Sequence, residues 1–287
     1  MGTHKYSGKG YYNGDVSAAY CDVCGYVHLV DVPDNDDVNK YYEEDKFYAT
    51  HSPVGWFDKE IRENEDGLWN SYYGFLSNLI IRNTNAIPSI LDIGCGCGWF
   101  VRYWNRRYCN AIGIDPSKSA RDIAREYGSI VVDTIPDKKF DAVLLSLVLE
   151  HVPNPLESLI EVNDMLNDDG IVIVVVPNEF NPLQSIVAKD YGKDWFVQKP
   201  HINYFSKQTA IDIVKKAGFD IIETHSTFPM ELMYIIGHKY IGNDVVGKKC
   251  HEFRLGFEKK FPKMAWKLYG AMNKISWGRE IIVVGRK

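Results

Sequence analysis

Asp92, Gly94, Gly96 and Gly98 fall within a short stretch, "LDIGCGCGWF" (91–100), directly after an apolar run. Glycine weakens strands and helices alike, so three this close imply either a sharp backbone turn or a ligand lying against the chain. A glycine turn between a strand and a helix aims backbone N–H groups and the helix N-terminus at a ligand. The dinucleotide fingerprint needs its third glycine one position later, where Trp99 stands, and the Gly-Lys-Ser/Thr ending of a phosphate-binding loop is absent. Asp115 ends the next apolar run, 23 residues after Asp92. A carboxylate there can accept both hydroxyl hydrogens of a ribose. The competing reading is a helix cap in "DPS". Two histidines, His151 in "LEHVPNP" and His201 in "KPHINYF", carry side chains that titrate near neutral pH. Cys21 and Cys24, in "CDVCGYVHL", have the spacing of a metal knuckle.

The elements that must position these residues follow from periodicity. From about 88 to 225, short apolar runs alternate with helix-like segments. "SILDIG", "NAIGID", "SIVVD", "FDAVLLSLV" and "GIVIVVVPN" read as strands; "WFVRYWNRRY", "SKSARDIAREYG" and "PLESLIEVNDML" read as helices. The strands are continuous apolar runs, so both faces of the sheet are buried. Strands alternating with helices predict right-handed crossovers and a doubly wound, mostly parallel α/β sheet. "SKQTAIDIVKKAGF" reads as a helix leading into the strand "DIIETHS", and "REIIVVGRK" as the last strand. Residues 1–60 read as a polar, aromatic, loop-rich extension, with "DVPDNDD" a solvated turn before a helix. A helical insertion over 228–278 is expected to cover one end of the sheet.

Composition narrows the class. At 287 residues and 45% hydrophobic, the chain can bury one large core with an appendage. No run approaches the length of a membrane span, and the N-terminus lacks the apolar core of a secretory signal. A net charge of −5 gives no field for nucleic acid. Six scattered cysteines do not form a disulfide framework, so a cytoplasmic protein with reduced thiols is expected.

The spacing Asp-x-Gly-x-Gly-x-Gly resembles motif I of the class I S-adenosylmethionine (SAM)-dependent methyltransferases. "FDAVLLSLVLEHVPNP" and "HINYFSKQTAIDIVKKAGF" are similar to two later segments of the same family, and the resemblance spans about 88–225. It implies a Rossmann-like seven-stranded fold and SAM as cofactor, with S-adenosylhomocysteine as product. The implied cofactor contacts are Asp92, Gly94, Cys95, Gly96, Gly98, Trp99 and Phe100 around the glycine turn. Asp115, Pro116 and Ser117 follow the second strand, Asp133 and Thr134 follow the third beside the adenine, and Ser146 and Leu147 follow the fourth. The cofactor carboxylate is expected at the helix N-terminus after Gly98, with the glycines bare because cofactor lies against them.

Methyl transfer needs alignment and exclusion of water, and an alcohol or phenol acceptor also needs a base. His151 is the first candidate and His201 the second, with Trp195, Phe196 and Tyr204 as pocket walls. The competing reading has Glu150 and His151 orienting the next helix. The acceptor is expected to be a small molecule, a sugar or a polysaccharide or natural-product precursor, on an O-methyltransferase. A non-catalytic SAM-binding scaffold and a nucleic-acid or protein methyltransferase are the alternatives. Cys21 and Cys24 resemble the second half of a zinc ribbon that precedes some of these enzymes. Its first cysteine pair is missing here, and His4, His28 and His51 would complete a site only by an unusual arrangement. A degenerate ribbon without zinc is therefore the expectation.

Overall fold

The computed structural model describes residues 4–51, 55–85, 87–192 and 194–287. The chain opens with strands β1 (Tyr6–Asn13), β2 (Val16–Cys21) and β3 (Tyr26–Leu29). Helices α1 (Asn35–Glu43), α2 (Lys46–His51), α3 (Trp56–Glu65) and α4 (Asn70–Asn83) follow. Then strands and helices alternate: β4 (Ile90–Ile93), α5 (Trp99–Asn105), β5 (Ala111–Ile114), α6 (Lys118–Glu126), β6 (Val131–Val132), β7 (Phe140–Ser146), α7 (Pro155–Met165) and β8 (Leu166–Pro177). After α8 (Gln184–Tyr191), β9 (Asn203–Tyr204) and α9 (Lys207–Lys216), the strand β10 (Asp220–Ser226) leads into α10 (Glu231–Ile235), α11 (Asp244–Lys260) and α12 (Pro262–Lys274). The strand β11 (Glu280–Arg286) closes the fold.

The main sheet has seven strands in the order β10-β11-β8-β7-β4-β5-β6. Pairings from β8 to β6 are parallel, while β11 runs antiparallel to both β8 and β10. This is the doubly wound, mostly parallel architecture expected from the alternating pattern. Both faces are covered, as the continuous apolar runs require. Leu91, Val143, Leu145, Val172 and Val174 pack toward α7 and α9, against Leu159, Val162, Ala210 and Ile213. Their neighbours in sequence, Ile90, Ala142, Leu144, Ile171 and Ile173, pack toward α4 and α5, against Leu76, Leu79, Phe100 and Trp104. Alternate residues on each strand thus enter opposite cores. The three helices α10–α12 fill the insertion expected over 228–278 and carry their own small cluster of Phe228, Met233, Cys250, Ala265 and Tyr269.

The N-terminal region is more ordered than a loop-rich reading allows. β1, β2 and β3 form an antiparallel meander, and β9 joins it as a fourth strand. Its first turn is the two-residue loop Gly14–Asp15, with Gly14 at φ +58°, a conformation glycine adopts without strain. Asp34 caps α1 by accepting from the Asp37 N–H at 2.8 Å, so the acidic run is a helix start as expected. α3 crosses residue 60, and β9 belongs to the N-terminal sheet, so the extension is built into the rest of the fold rather than appended at that boundary. Among the described residues no helix is long and apolar enough to cross a membrane.

Candidate active site

Two cavities of about 430 Å³ each are reached by the end of β7 and the chain that follows it, one through Ser146 and Leu147 and the other through His151. The first is lined by Asp92, Gly94, Cys95, Gly96, Trp99, Phe100, Ser146 and Leu147, which gathers eight of the expected cofactor residues on one surface. Leu147, directly after β7, holds φ +59°, a rare conformation for a bulky side chain. Its N–H donates to the Val175 carbonyl at 2.9 Å, which fixes the turn. Ser146 Oγ lies 3.4 Å from the Tyr72 hydroxyl.

Carboxylates dominate this cavity. Asp92 is buried, and burial followed by the nearby Asp115 charge pushes its pKa up to about 8. Glu60, from α3, is pushed up to about 7 mainly by burial. Glu63 holds the two basic side chains that line the cavity, Lys59 at 3.6 Å and His251 at 3.1 Å. Among the described residues no ion pair reaches Asp92 or Glu60. A cavity in this state favours a cationic ligand, because a positive charge restores the ionised form that burial disfavours.

The glycine turn answers to the fold more than to a ligand, which corrects the expectation that cofactor keeps all three positions bare. Gly94, Gly96 and Gly98 have φ of +68°, +53° and +68°, so each needs glycine for its backbone. A Cβ on Gly94 would sit 2.5 Å from Val148 Cγ2, and one on Gly98 would sit 2.8 Å from Ser129 Cβ. Gly98 therefore lets α5 approach the end of α6. Only Gly96 faces open space, with the Tyr48 hydroxyl 3.8 Å from its ideal Cβ. The turn's N–H groups are also engaged internally: Gly94 and Cys95 donate to the Ile114 carbonyl, and Gly98 donates to the Cys95 carbonyl.

Asp115 does not line the cavity but lies behind Gly96, which does. Its two carboxylate oxygens accept from the Gly96 N–H at 2.8 Å and the Ser117 N–H at 2.9 Å. Burial raises its pKa, and these two donors hold it back. Each oxygen keeps a second lone pair beside these bonds. Pro116 and Ser117 lie outside the cavity: Pro116 offers its carbonyl to Arg121, and buried Ser117 caps α6 and donates to Asp45 at 2.5 Å. Asp133 and Thr134 are exposed and do not line it either. Asp133 is paired with Arg121 at 3.1 Å and Arg125 at 2.9 Å on the surface.

The second cavity is apolar. Leu29, Val32, Pro33, Val38, Tyr41, Tyr42, Pro200 and Ile202 line it, with Asp31, Asp37, Lys199 and His151 as its polar groups. Phe47 lines the carboxylate cavity and lies 5.9 Å, ring to ring, from His151; Tyr42 lies 5.4 Å from Phe47 and 6.1 Å from His151. These two aromatic residues therefore stand between the cavities. His151 and His201 are brought together, with ring centroids 5.0 Å apart. His151 Nε2 is 3.8 Å from Glu150, whose burial pushes its pKa up to about 8. His201 Nδ1 is 3.3 Å from buried Glu179; burial lowers the imidazole's pKa, but Glu179 and Glu150 together leave it raised. Trp195, Phe196 and Tyr204 do not reach either cavity. Phe196 and Tyr204 belong instead to the core of the N-terminal sheet, with Trp195 packed against it.

Sequence reasoning missed Phe47, Tyr48, Glu60, Glu63, Trp69, Tyr72, Tyr73 and His251 as cavity residues. The dense aromatics over 41–75 were the available signal, but aromatic crowding alone reads as core. His251 arrives from the helical insertion and has no local motif.

Comparison with known proteins agrees with this architecture. Residues 62–224, more than half of the chain, match the family model described as a methyltransferase domain. A ubiquinone biosynthesis O-methyltransferase of Cereibacter sphaeroides is 27% identical over 151 residues, covering 47% of this chain and 61% of that protein. One from Alkalilimnicola ehrlichii is 34% identical over 122 residues, covering 38% and 49%. The chain thus spans about half to three-fifths of the length of these curated relatives. A solved structure of Burkholderia thailandensis 1,6-didemethyltoxoflavin-N1-methyltransferase, with bound 1,6-didemethyltoxoflavin and S-adenosylhomocysteine, is similar at TM-score 0.51 and 11% identity, covering 98% of this chain and 99% of that one. A SAM-dependent methyltransferase from Archaeoglobus fulgidus gives TM-score 0.50 at 16% identity, covering 75% and 93%. At these identities the structural likeness speaks to the fold alone. The family match settles membership: the chain belongs to the methyltransferase-domain family.

Proposed function

We propose that the chain methylates a hydroxyl group on a small acceptor held in the apolar cavity, with the cofactor in the carboxylate cavity and His151 as general base. The observation that carries this reading is the pairing of two cavities across Phe47 and Tyr42. One offers uncompensated carboxylates, and the other offers an apolar lining with an imidazole. SAM bears a sulfonium, an ammonium and one carboxylate, so its net positive charge suits Asp92 and Glu60. Bound there, it supplies a methyl group already activated for displacement. Asp92 is the candidate partner for the ammonium. Asp115 is the candidate for the ribose hydroxyls through its remaining lone pairs. Phe47, Tyr48, Trp99 and Phe100 would exclude water from the reacting groups.

His151 takes the hydroxyl proton in this reading, and the positive charge it gains favours ionisation of Glu150, 3.8 Å from its Nε2, which burial otherwise opposes. His201, held by Glu179, is the second candidate for the same task. The lining of Val32, Pro33, Val38, Tyr41, Tyr42 and Ile202 narrows the sugar-or-natural-product expectation toward a hydroxylated ring with an apolar face. The O-methyltransferase names of the curated relatives agree with an oxygen acceptor. The test is incubation with methyl-labelled SAM and separate panels of phenols, sugars and amines. Label on a ring hydroxyl, abolished in His151→Ala, is the expected result. Label confined to amines, or to nucleic acid or protein, would defeat the proposal.

A further inference from the structure

Cys21 and Cys24 do not stand alone. Cys21 ends β2, and the chain turns through Gly25, at φ +85°, with the Gly25 N–H donating to the Cys21 carbonyl at 2.8 Å. That knuckle returns into β3, which carries His28. The chain before β1 is tied to the same knuckle, where the Asp22 N–H donates to the Lys5 carbonyl at 2.8 Å, and this brings in His4. One ligand atom from each of His4, Cys21, Cys24 and His28 lies within 4.8 Å of the others. His4 Nδ1 is 3.6 Å from both sulfur atoms. A tetrahedral zinc with bonds of about 2.3 Å to sulfur and about 2.0–2.1 Å to nitrogen has an S–N edge of about 3.6 Å. Both thiols are free of disulfide bonds.

A second observation comes from His28 itself. The residue is 2% exposed, and its Nδ1 lies 2.7 Å from the Leu29 carbonyl. A carbonyl only accepts, so Nδ1 carries the proton and Nε2 carries the lone pair. Among the described residues that buried Nε2 has no hydrogen-bond partner. Metal-bound histidines characteristically donate their other N–H to a carbonyl or carboxylate, which sets the tautomer found here.

We propose that His4, Cys21, Cys24 and His28 form a structural zinc site that fastens the start of the chain to β2 and β3. The set supplies four protein ligands and leaves no position for water, as a closed structural site requires. None of the four lines either cavity, so the metal would take no part in the chemistry. The histidines replace the cysteine pair whose absence argued against zinc at the level of spacing; the side chain of His51 lies outside the described residues.

The clamp has a route to the candidate base. His28 pairs with Asn203 across β3 and β9. Asn203 donates its side-chain amide to the Leu149 carbonyl at 2.8 Å and the Val152 carbonyl at 2.7 Å, and its N–H to the Glu150 carbonyl at 3.0 Å. One strand pair therefore links the metal ligands to the turn that presents His151. This consequence rests on the proposed function; the metal site does not.

The test uses the full chain, purified under reducing conditions without chelator. Metal content is measured by mass spectrometry, and chelator-treated protein is titrated with cobalt(II). The expected results are about one zinc per chain and, on titration, a tetrahedral cobalt spectrum with a thiolate charge-transfer band at about one equivalent. Chelation should also lower the thermal midpoint. His4→Ala, an exposed position whose loss leaves the knuckle intact, should weaken metal binding by about tenfold or more while the chain stays folded. Cys24→Ser should abolish the charge-transfer intensity from one sulfur. Cobalt giving only a weak octahedral spectrum would overturn the proposal, as would zinc retained unchanged in both variants. Loss of turnover with a normal metal site would instead count against the hydroxyl-transfer reading alone.

Discussion

The two cavities differ in how they are built. The carboxylate cavity rests on strand ends of the main sheet, where Asp92, Gly96 and Leu147 are placed by the parallel pairing of β4 with β5 and β7. The apolar cavity rests on the N-terminal region, where Leu29 through Tyr42 form most of its wall and the main sheet contributes only the turn bearing His151. One joins those strand ends to side chains from α2–α4 and α11, and the other rests on an added sheet and helix. The comparison teaches that the strand ends of the wound sheet enter one cavity, while a separate piece of chain builds most of the other. Mutations in the two cavities should therefore separate: one set should move cofactor affinity, the other turnover.

The largest effect is expected at His151. A general base contributes roughly 10²–10⁴-fold in rate, so His151→Ala and His151→Gln should each lower kcat by about that factor. SAM affinity should hold within about threefold, because His151 lines the other cavity. Steady-state kinetics with the true acceptor, beside SAM titrations, checks both halves. A near-wild-type kcat in the two variants would move the base to His201.

Asp115→Ala should do the reverse. Loss of a charged acceptor for the ribose should weaken SAM binding by about 1–3 kcal/mol, read by calorimetry. Because Asp115 also accepts from Gly96 and Ser117, thermal unfolding of the same variant is the control. If the fold melts and affinity per folded molecule is unchanged, Asp115 is only a cap.

A smaller effect is expected from pH. In the free protein burial raises Asp92 to about 8 and Glu60 to about 7, so both bind protons that a cationic ligand must displace. SAM affinity should therefore rise with pH through the range set by these two values, by at most about tenfold per pH unit for one displaced proton. Glu60→Gln should flatten the lower part of that rise. An affinity that falls between pH 6 and 7.5 would contradict the assignment of cation to carboxylates.

The smallest effect belongs to Asp133→Ala. Its carboxylate is exposed and paired with Arg121 and Arg125, and exposed pairs contribute about 0–1 kcal/mol. SAM affinity within about twofold of wild type is expected, against the larger loss a direct adenine contact would give.

The legibility of the sequence follows the same division. The strands of the wound sheet were readable because burial on both faces leaves continuous apolar runs, as in Ile171–Val176. The carboxylate cavity was half readable, since Asp92, Gly96 and Leu147 lie at strand ends that a motif can locate. Glu60, Tyr72 and His251 were not, because helices far apart in sequence converge on the site without a shared spacing. The role of Gly98 was misread for a physical reason: a glycine that admits a ligand and one that admits Ser129 look identical in one dimension. The N-terminal sheet did carry a signal, the Gly14-Asp15 turn between two short segments, but its fourth strand comes from residues 203–204.

The separation of the cavities is tested most directly by a crystal structure of the chain with S-adenosylhomocysteine. The account predicts density running along Asp92, Gly96, Trp99 and Ser146, with the cavity between Tyr42 and Lys199 left for the acceptor. Density for the cofactor product between Tyr42, His151 and Lys199 would contradict it.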